Sequence, residues 1–411
     1  TSALQHTPIP GIRKLMAANR GEIAIRVCRA GTELGLRTVA IYSREDRFAL
    51  HRFKADESYL IGRDLGPVQA YLDIPGIVQT ALDAKVDAIH PGYGFLSENP
   101  DFADACRAAG IVFIGPESDT MRRLGSKVEA RNLAEEAGVP VMPATGPLPR
   151  DGDEIKRLAA QIGYPVMAKA SWGGGGRGMR IIHGEDEVLE QLASGRREAK
   201  AAFGNDEMFL EKLVVRARHV EVQILGDRHG TIVHLFERDC SLQRRNQKVI
   251  ERAPAPYLDE AQRRALCAHA LRIGHAADYS NAGTVEFLMD YETGEFYFIE
   301  VNPRIQVEHT VSEVVTGIDL VKAQIHIAAG ARIGDADSGV PAQADIKLNG
   351  HALQCRVTTE DPENHFIPDY GRITAYRGAT GFGIRLDGGT AYSGAIITPF
   401  YDSLLEKVTA W

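Results

Sequence analysis

The sequence predicts an α/β (α+β) chain with three regions. A doubly wound parallel sheet covers about the first 120 residues, a smaller strand–glycine loop–strand block follows, and a mixed or antiparallel sheet region closes the chain. Three observations carry this: short apolar runs alternating with helical periodicity as far as IVFIG, the glycine string at 173–178, and a hairpin signal between Thr284 and His309. At 411 residues the chain is too long for one compact core and should divide into two or three domains.

Taken in order, KLMAA from Lys14 is a short strand leading into NRGEIAIRVCRAGTELG, whose apolar residues recur at helical spacing up to a stop at Gly35. The strand RTVAIYS follows, then a helix over 74–85, the strand DAIHPG, another helix and the strand IVFIG. Asn19, Arg20 and Gly21 sit at a strand's carboxyl end, where such sheets bind ligands, but without GxGxxG. HPGYGFLSEN occupies another such end; Tyr93 there is either a substrate contact or a turn aromatic packed on its own domain.

After the helix SKVEARNLAEEAG, the second block reads YPVMAKASWGGGGRGMRII, strand, glycine loop, strand, with Lys169 near the end of the first strand. The glycines satisfy GxGxxG literally, yet a dinucleotide fingerprint requires them to open a helix, and MRII is extended, with helix only from about Asp186. Walker A fails too, because no Lys-Ser or Lys-Thr follows. What remains is a hairpin tip whose backbone N–H groups fold over phosphates with Lys169 as a point charge, or a flexible linker.

Downstream, Glu211 and Lys212 end the strand EMFLEKLV, and His219 starts the strand RHVEVQILGD; together they suit an adenine edge and a ribose, although each alone is an ordinary structural residue. The basic block at 238–256 includes the acids Asp239 and Glu251 and belongs to a chain of net charge -8. An anion pocket with Gln243 and Lys248 is therefore expected rather than a nucleic-acid surface.

If the loop at 291–295 closes the hairpin symmetrically, Glu286 faces Glu300 on the same side as Asn302. Like charges opposite one another destabilise a sheet. Among apolar neighbours, a divalent cation with oxygen ligands, Mg²⁺, would offset the repulsion. The alternative is that both acids line the solvated face of an ordinary amphipathic hairpin. Pro303 ends the ladder and projects Arg304, Gln306, Glu308 and His309 from a loop. An Arg near a lone carboxylate suits binding and deprotonation of a small oxyanion; a surface ion pair is the other reading.

Composition frames these sites. Hydrophobic content of 44% and charged content of 25% are ordinary for globular proteins. The five cysteines lack CxxC or CxxxH spacing, so neither a disulfide framework nor a zinc site is implied. No apolar run approaches the roughly 20 residues of a membrane span, and TSALQHTPIP lacks a signal-peptide core. A soluble, cytoplasmic protein is expected, or a mitochondrial-matrix one in a eukaryote, with no membrane or nucleic-acid partner.

ANRGEIAIR, HPGYGFLSEN, KASWGGGGRGM, RHVEVQILGD, RDCSLQRRNQKV, FIEVNPRIQVEH and HALQCRV together resemble the biotin carboxylase component of biotin-dependent carboxylases, an ATP-grasp fold. RFKADESYLIG, GRITAYRGATGFGIRLDGG and AYSGAIITPFYDSLLEKVTAW are more similar to the pyruvate carboxylase branch than to acetyl-CoA or other acyl-CoA carboxylase subunits, which stay the alternative. The resemblance implies a Rossmann-like pre-ATP-grasp domain over 1–125, a linker and lid over 126–213, and the catalytic and C-terminal region over 214–411.

The same resemblance implies that Lys127 and Lys169 hold ATP phosphates under a lid of Gly173, Gly174, Gly175 and Gly176. Glu211, Lys212, Leu213 and His219 would bind adenine and ribose, helped by Gln243, Asn246 and Leu288; Glu286, Glu300 and Asn302 would ligate Mg²⁺ (or Mn²⁺). Lys248, Arg304, Gln306 and Val307 would hold bicarbonate and Glu308 would deprotonate it, while Arg356, with Tyr93 nearby, would stabilise the biotin enolate after carboxyphosphate releases CO₂. Two departures are Asn246, where many acetyl-CoA carboxylase subunits carry His, and an end at Trp411, before the segment that completes the family's domain. With no AMKM biotinylation motif and no carboxyltransferase region, biotin should come from a carrier domain supplied elsewhere. The expectation is a weakly active fragment of a longer, homo-oligomeric chain.

Overall fold

The computed structural model describes residues 9–171, 179–245 and 247–411, apart from the side chains of Ala202 and Phe203. The chain forms two compact units, one from Thr1–Val139, His219–Phe287 and Glu300–Trp411, the other from Pro140–Arg218 and Leu288–Ile299.

In the first unit, β1 (Lys14–Ala17), β2 (Arg37–Tyr42), β3 (Glu57–Leu60), β4 (Ala88–His90) and β5 (Val112–Phe113) make a parallel sheet in the order β3-β2-β1-β4-β5. The helix Gly21–Glu33 starts directly after β1 and buries Ile23, Ala24, Val27 and Cys28, the stripe its spacing predicts. Met16, Val39, Ile41, Ile77, Ile89 and Phe102 form a core cluster of this sheet. The strand β3 is absent from the sequence reading because its four residues are all half-buried and show no alternation.

The second unit is centred on a three-stranded antiparallel sheet, β7-β6-β8, formed by β6 (Val166–Ala170), β7 (Arg180–Ile182) and β8 (Met208–Lys212). Its core includes Ile155 and Ala159 from the helix Gly152–Ile162 and Val188 and Leu192 from the helix Val188–Phe203. Met179–Ile182 thus runs into a strand rather than a helix, as the sequence requires for a hairpin and not a dinucleotide turn.

A larger sheet joins β9 (Ala217–Gly226), β10 (Ile232–Arg244), β11 (Gln247–Ala253), β12 (Asn281–Asp290), β13 (Phe296–Asn302), β14 (Ala352–Thr358) and two last strands, Ile384–Gly388 and Leu404–Ala410. Their order is β13-β12-β9-β10-β11-β14, then Leu404–Ala410 and Ile384–Gly388. The helix Glu260–Ala276 covers one face, where Gly274 lies against Ile224 and Ile232. The other face is a buried polar ladder: Glu221 pairs with Arg238, Glu251 with Gln354, and Gln354 with Thr409. Over it lies the helix His309–Thr316, whose Thr310 Oγ1 bonds Gln354 and, at 2.8 Å, Thr409.

The β12–β13 hairpin closes one residue earlier than symmetric closure requires. Asp290 N donates to Glu295 O at 2.9 Å, leaving a turn over 291–294. The Asp290 side chain accepts from Glu292 N and Thr293 N, and Gly294 has φ 75°, so side-chain capping and a left-handed glycine set the turn. No helix among the described residues is long and apolar enough to cross a membrane.

Candidate active site

The polar ladder converges on Lys248 at the start of β11. Its ammonium contacts Glu221 from β9 and donates to Glu286 Oε1 from β12 at 2.8 Å and to Glu308 Oε1 at 2.8 Å. Charges this buried are costly unless fully paired, and here every carboxylate has several donors. Burial opposes the Lys248 charge, but Glu221 and Glu308 outweigh it and hold the ammonium above its usual range. Burial likewise favours a neutral Glu308, yet Lys248, Arg356 and Arg238 hold it well below the usual carboxylate range, as an anion.

Glu308 Oε2 accepts from Arg356 Nη2 at 3.0 Å. Arg304 donates to Asn302 Oδ1 at 2.9 Å, and its Nε lies 3.2 Å from Glu98. Asn302 Nδ2 and Gln306 Nε2 both donate to Glu286 Oε1, at 2.9 and 3.0 Å. Gln306 is fixed in turn by Arg238, a fully buried guanidinium that also bonds Glu221, Gln223, Thr284 and Ser312.

His219 Nε2 lies 2.9 Å from Glu286; burial disfavours its charge, but the Glu286 carboxylate raises its pKa overall. Glu300 is pushed up, first by burial and then by the charge of Glu286. The charge of Glu286 thus acts on Glu300, but the Asp290–Glu295 closure is not the symmetric one from which their direct pairing was expected, and Glu286 is also met by Lys248 and His219. Ligand atoms of His219, Glu221 and Glu286 lie within 4.8 Å of one another, a set that fits a divalent cation with oxygen and nitrogen donors.

The remaining sequence candidates are distributed as follows. Lys127 is exposed at the first turn of the helix Lys127–Glu136, and its charge acts on Glu300. Gln243 is exposed and donates to Cys240 O at 3.0 Å. The Val307 carbonyl is taken by Lys407 Nζ at 2.9 Å, and Tyr93 Oη donates to Glu22. In the second unit Lys169 is ion-paired with Glu211, so each meets the other rather than standing free. Lys212 Nζ is bonded to Gly163 O at 2.7 Å, Leu213 N to Pro165 O, and Leu288 is half-buried on β12. Gly173, Gly174, Gly175, Gly176 and Asn246 lie outside the described residues.

Sequence reasoning missed Glu221, Arg238 and Glu251 as members of the site. The signal for Glu221 was available: HVEVQ alternates polar and apolar residues, placing His219, Glu221 and Gln223 on one face. The other cations of the basic block are largely paired, Arg252 with Asp239 at 2.8 Å and Arg244 with Glu360.

Three family descriptions match: "Biotin carboxylase, N-terminal domain" over residues 11–121, "Carbamoyl-phosphate synthase L chain, ATP binding domain" over 126–335, and "Biotin carboxylase C-terminal domain" over 354–411. The pyruvate carboxylase of Bacillus subtilis is 54% identical over 400 residues, 97% of this chain and 35% of that protein. The chain spans about a third of the length of the curated relatives it matches. A complete multifunctional pyruvate carboxylase from Rhizobium etli superposes with a TM-score of 0.83 at 63% identity, covering 97% of this chain and 35% of that one. The biotin carboxylase domain of the Hydrogenobacter thermophilus 2-oxoglutarate carboxylase, solved as a dimer with MgADP, ADP and bicarbonate, gives a TM-score of 0.86 at 46% identity over 97% of this chain and 86% of that one. The chain has the ATP-grasp fold and belongs to the biotin carboxylase family of ATP-dependent ligases.

Proposed function

We propose that this chain carboxylates biotin N1′ at the expense of ATP and bicarbonate, the first half-reaction of a pyruvate carboxylase. The observation that carries the reading is the Lys248–Glu308–Arg356 arrangement, a buried anionic carboxylate held between two cations. Lys248 and Arg304 attract bicarbonate, with Gln306 and Val307 beside them. Glu308 removes its proton, and the freed carbonate oxygen attacks the γ-phosphate to give carboxyphosphate and ADP. Arg356, with Tyr93, is suited to the negative charge that develops on the acceptor after CO₂ is released.

Lys127 and Lys169 neutralise phosphate charge, and Lys169 exchanges its present partner Glu211 for phosphate when nucleotide binds. Glu211, Lys212, Leu213, His219, Gln243, Asn246 and Leu288 line the adenine and ribose. Glu286, Glu300 and Asn302 hold Mg²⁺, which the raised pKa of Glu300 beside Glu286 supports: a cation there relieves the repulsion between the two carboxylates. Bound Mg²⁺ supplies charge neutralisation at the transferred phosphoryl group.

On this reading residues 1–125, 126–213 and 214–411 are the pre-ATP-grasp domain, the linker with its glycine lid and the catalytic region. The biotin is carried by a separate carrier domain, and carboxyltransferase domains and other copies of the chain are partners in a longer protein, in the cytoplasm or a mitochondrial matrix. The test is bicarbonate-dependent ADP release with free biotin, with further stimulation as biotin is added. ADP release indifferent to bicarbonate overturns the reading.

A further inference from the structure

Glu251 is fully buried on β11, in a stretch where an apolar side chain would cost nothing to desolvate. Its Oε1 accepts from Arg356 Nε at 2.6 Å and its Oε2 from Gln354 Nε2 at 2.9 Å. Glu251 and Gln354 are direct cross-strand partners, as are Gln354 and Thr409, and Thr310 ties Gln354 to Thr409 from the helix above. All four of these side chains are fully buried, so Glu251 stands on a rigid support spanning three strands and a helix.

The Nε and Nη2 groups of a guanidinium form one of its edges. In Arg356 that edge is used up by two carboxylates, Glu251 on Nε and Glu308 on Nη2 at 3.0 Å, and no hydrogen bond from Nη1 occurs among the described residues. We propose that Glu251 is the positioning residue of Arg356: it fixes the guanidinium against Glu308 and keeps it oriented when Glu308 turns to bicarbonate. The assignment rests on the function proposed above. As Glu308 takes up the substrate proton its hold on Arg356 weakens, and Glu251 becomes the only carboxylate keeping the side chain in place.

The charges of the surroundings agree. Burial and the facing Glu308 push the Glu251 carboxyl up to about 7, while Arg356 draws it down. The thiols of Cys240 on β10 and Cys355 on β14 also feel its charge. Neutralising Glu308 therefore favours the anionic form of Glu251 at the moment Arg356 needs it.

The experiment is a double-mutant cycle on the full chain, read as bicarbonate-dependent ADP release with and without free biotin. Glu251→Gln should lower biotin-stimulated turnover about tenfold or more while the KM for ATP stays within about twofold. In an Arg356→Gln background the same substitution should change turnover less than about twofold, because its route of action is already gone. Equal losses in both backgrounds, or a KM for ATP rising in step with a falling Tm, mean a general structural role and overturn the proposal. Gln354→Met, which removes only the second support of Glu251, should cost about threefold at unchanged KM for ATP, and decides the matter if Glu251→Gln does not fold. An unmodified chain without bicarbonate-dependent activity overturns the functional reading and this assignment with it. An active chain indifferent to both Glu251→Gln and Gln354→Met overturns the assignment alone.

Discussion

Replacing Glu308 by Gln separates the chemistry of the site from its architecture. The carboxylate is 2% exposed and accepts from Lys248 at 2.8 Å and Arg356 at 3.0 Å. The amide keeps the shape and one acceptor but cannot take a proton. Loss of a general base costs about 10²–10⁴ in rate, or about 2.7–5.5 kcal/mol in barrier. Breaking a buried ion pair outright costs about 3–5 kcal/mol of stability. Here Lys248 retains Glu221 and Glu286, and Arg356 retains Glu251, so neither cation is orphaned and the cost should be nearer 1–3 kcal/mol. The expected outcome is a folded protein whose ATP affinity is within a few-fold of the unmodified chain and whose bicarbonate-dependent ADP release is at least a hundredfold lower. Isothermal titration with a non-hydrolysable ATP analogue measures the first and a coupled ADP assay the second. Turnover within tenfold of the unmodified chain refutes the base assignment; nucleotide affinity lost in proportion to turnover refutes the claim that chemistry alone was removed.

Lys169→Ala should weaken ATP binding by about tenfold, the worth of one charge-assisted contact, and also free Glu211; an unchanged affinity counts against the phosphate role. Lys248→Met leaves Glu221, Glu286 and Glu308 without their shared cation, so the variant should melt several degrees lower and recover part of that loss on adding Mg²⁺, read by Tm with and without the metal. A Tm increment from Mg²⁺ no larger than that of the unmodified chain contradicts this. Stability should fall as pH drops from about 6.5 toward 4, because burial holds His51, His90 and His234 down to about 4 and the unfolded chain binds protons they refuse. Glu251, held up to about 7, acts in the opposite sense over the range between 4.5 and 7 and offsets about one of the three histidines. A urea midpoint as high at pH 5 as at pH 7 contradicts the assignment.

How much of this was legible in the sequence depended on how far apart the partners lie. The parallel sheet and the strand–glycine–strand block followed from local periodicity, and the hairpin acids were visible because Glu286, Glu300 and Asn302 sit at period two among apolar residues. The partners of Lys248 were not visible, since Glu221, Glu286 and Glu308 lie 27, 38 and 60 positions away. The order β12-β9-β10-β11 brings Glu221 and Glu286 to Lys248, and Glu308 reaches it from the segment between β13 and the helix His309–Thr316. The loop at 291–295 matches the strand ends at Asp290 and Phe296, but counting residues cannot tell symmetric closure from one pulled tight by the Asp290 side chain and a left-handed Gly294.

Glu251 shows the same limit most sharply. Read along the chain, it is one acid in a basic stretch, and its evident use is to dilute charge. Read across the sheet, its partner is Arg356, 105 positions away, and the basic stretch is not a patch at all: Arg238 and Lys248 share Glu221, Lys248 also meets Glu308, and Arg252 meets Asp239. A one-residue change in the β11–β14 register would turn Glu251 to the opposite face, away from Gln354 and Arg356. The site is thus specified by strand register as much as by its residues. An insertion in β11 between Lys248 and Glu251 should therefore abolish bicarbonate-dependent turnover even though every candidate side chain remains in the chain. Retained turnover in such a variant would mean that Arg356 does not depend on what the neighbouring strand presents to it.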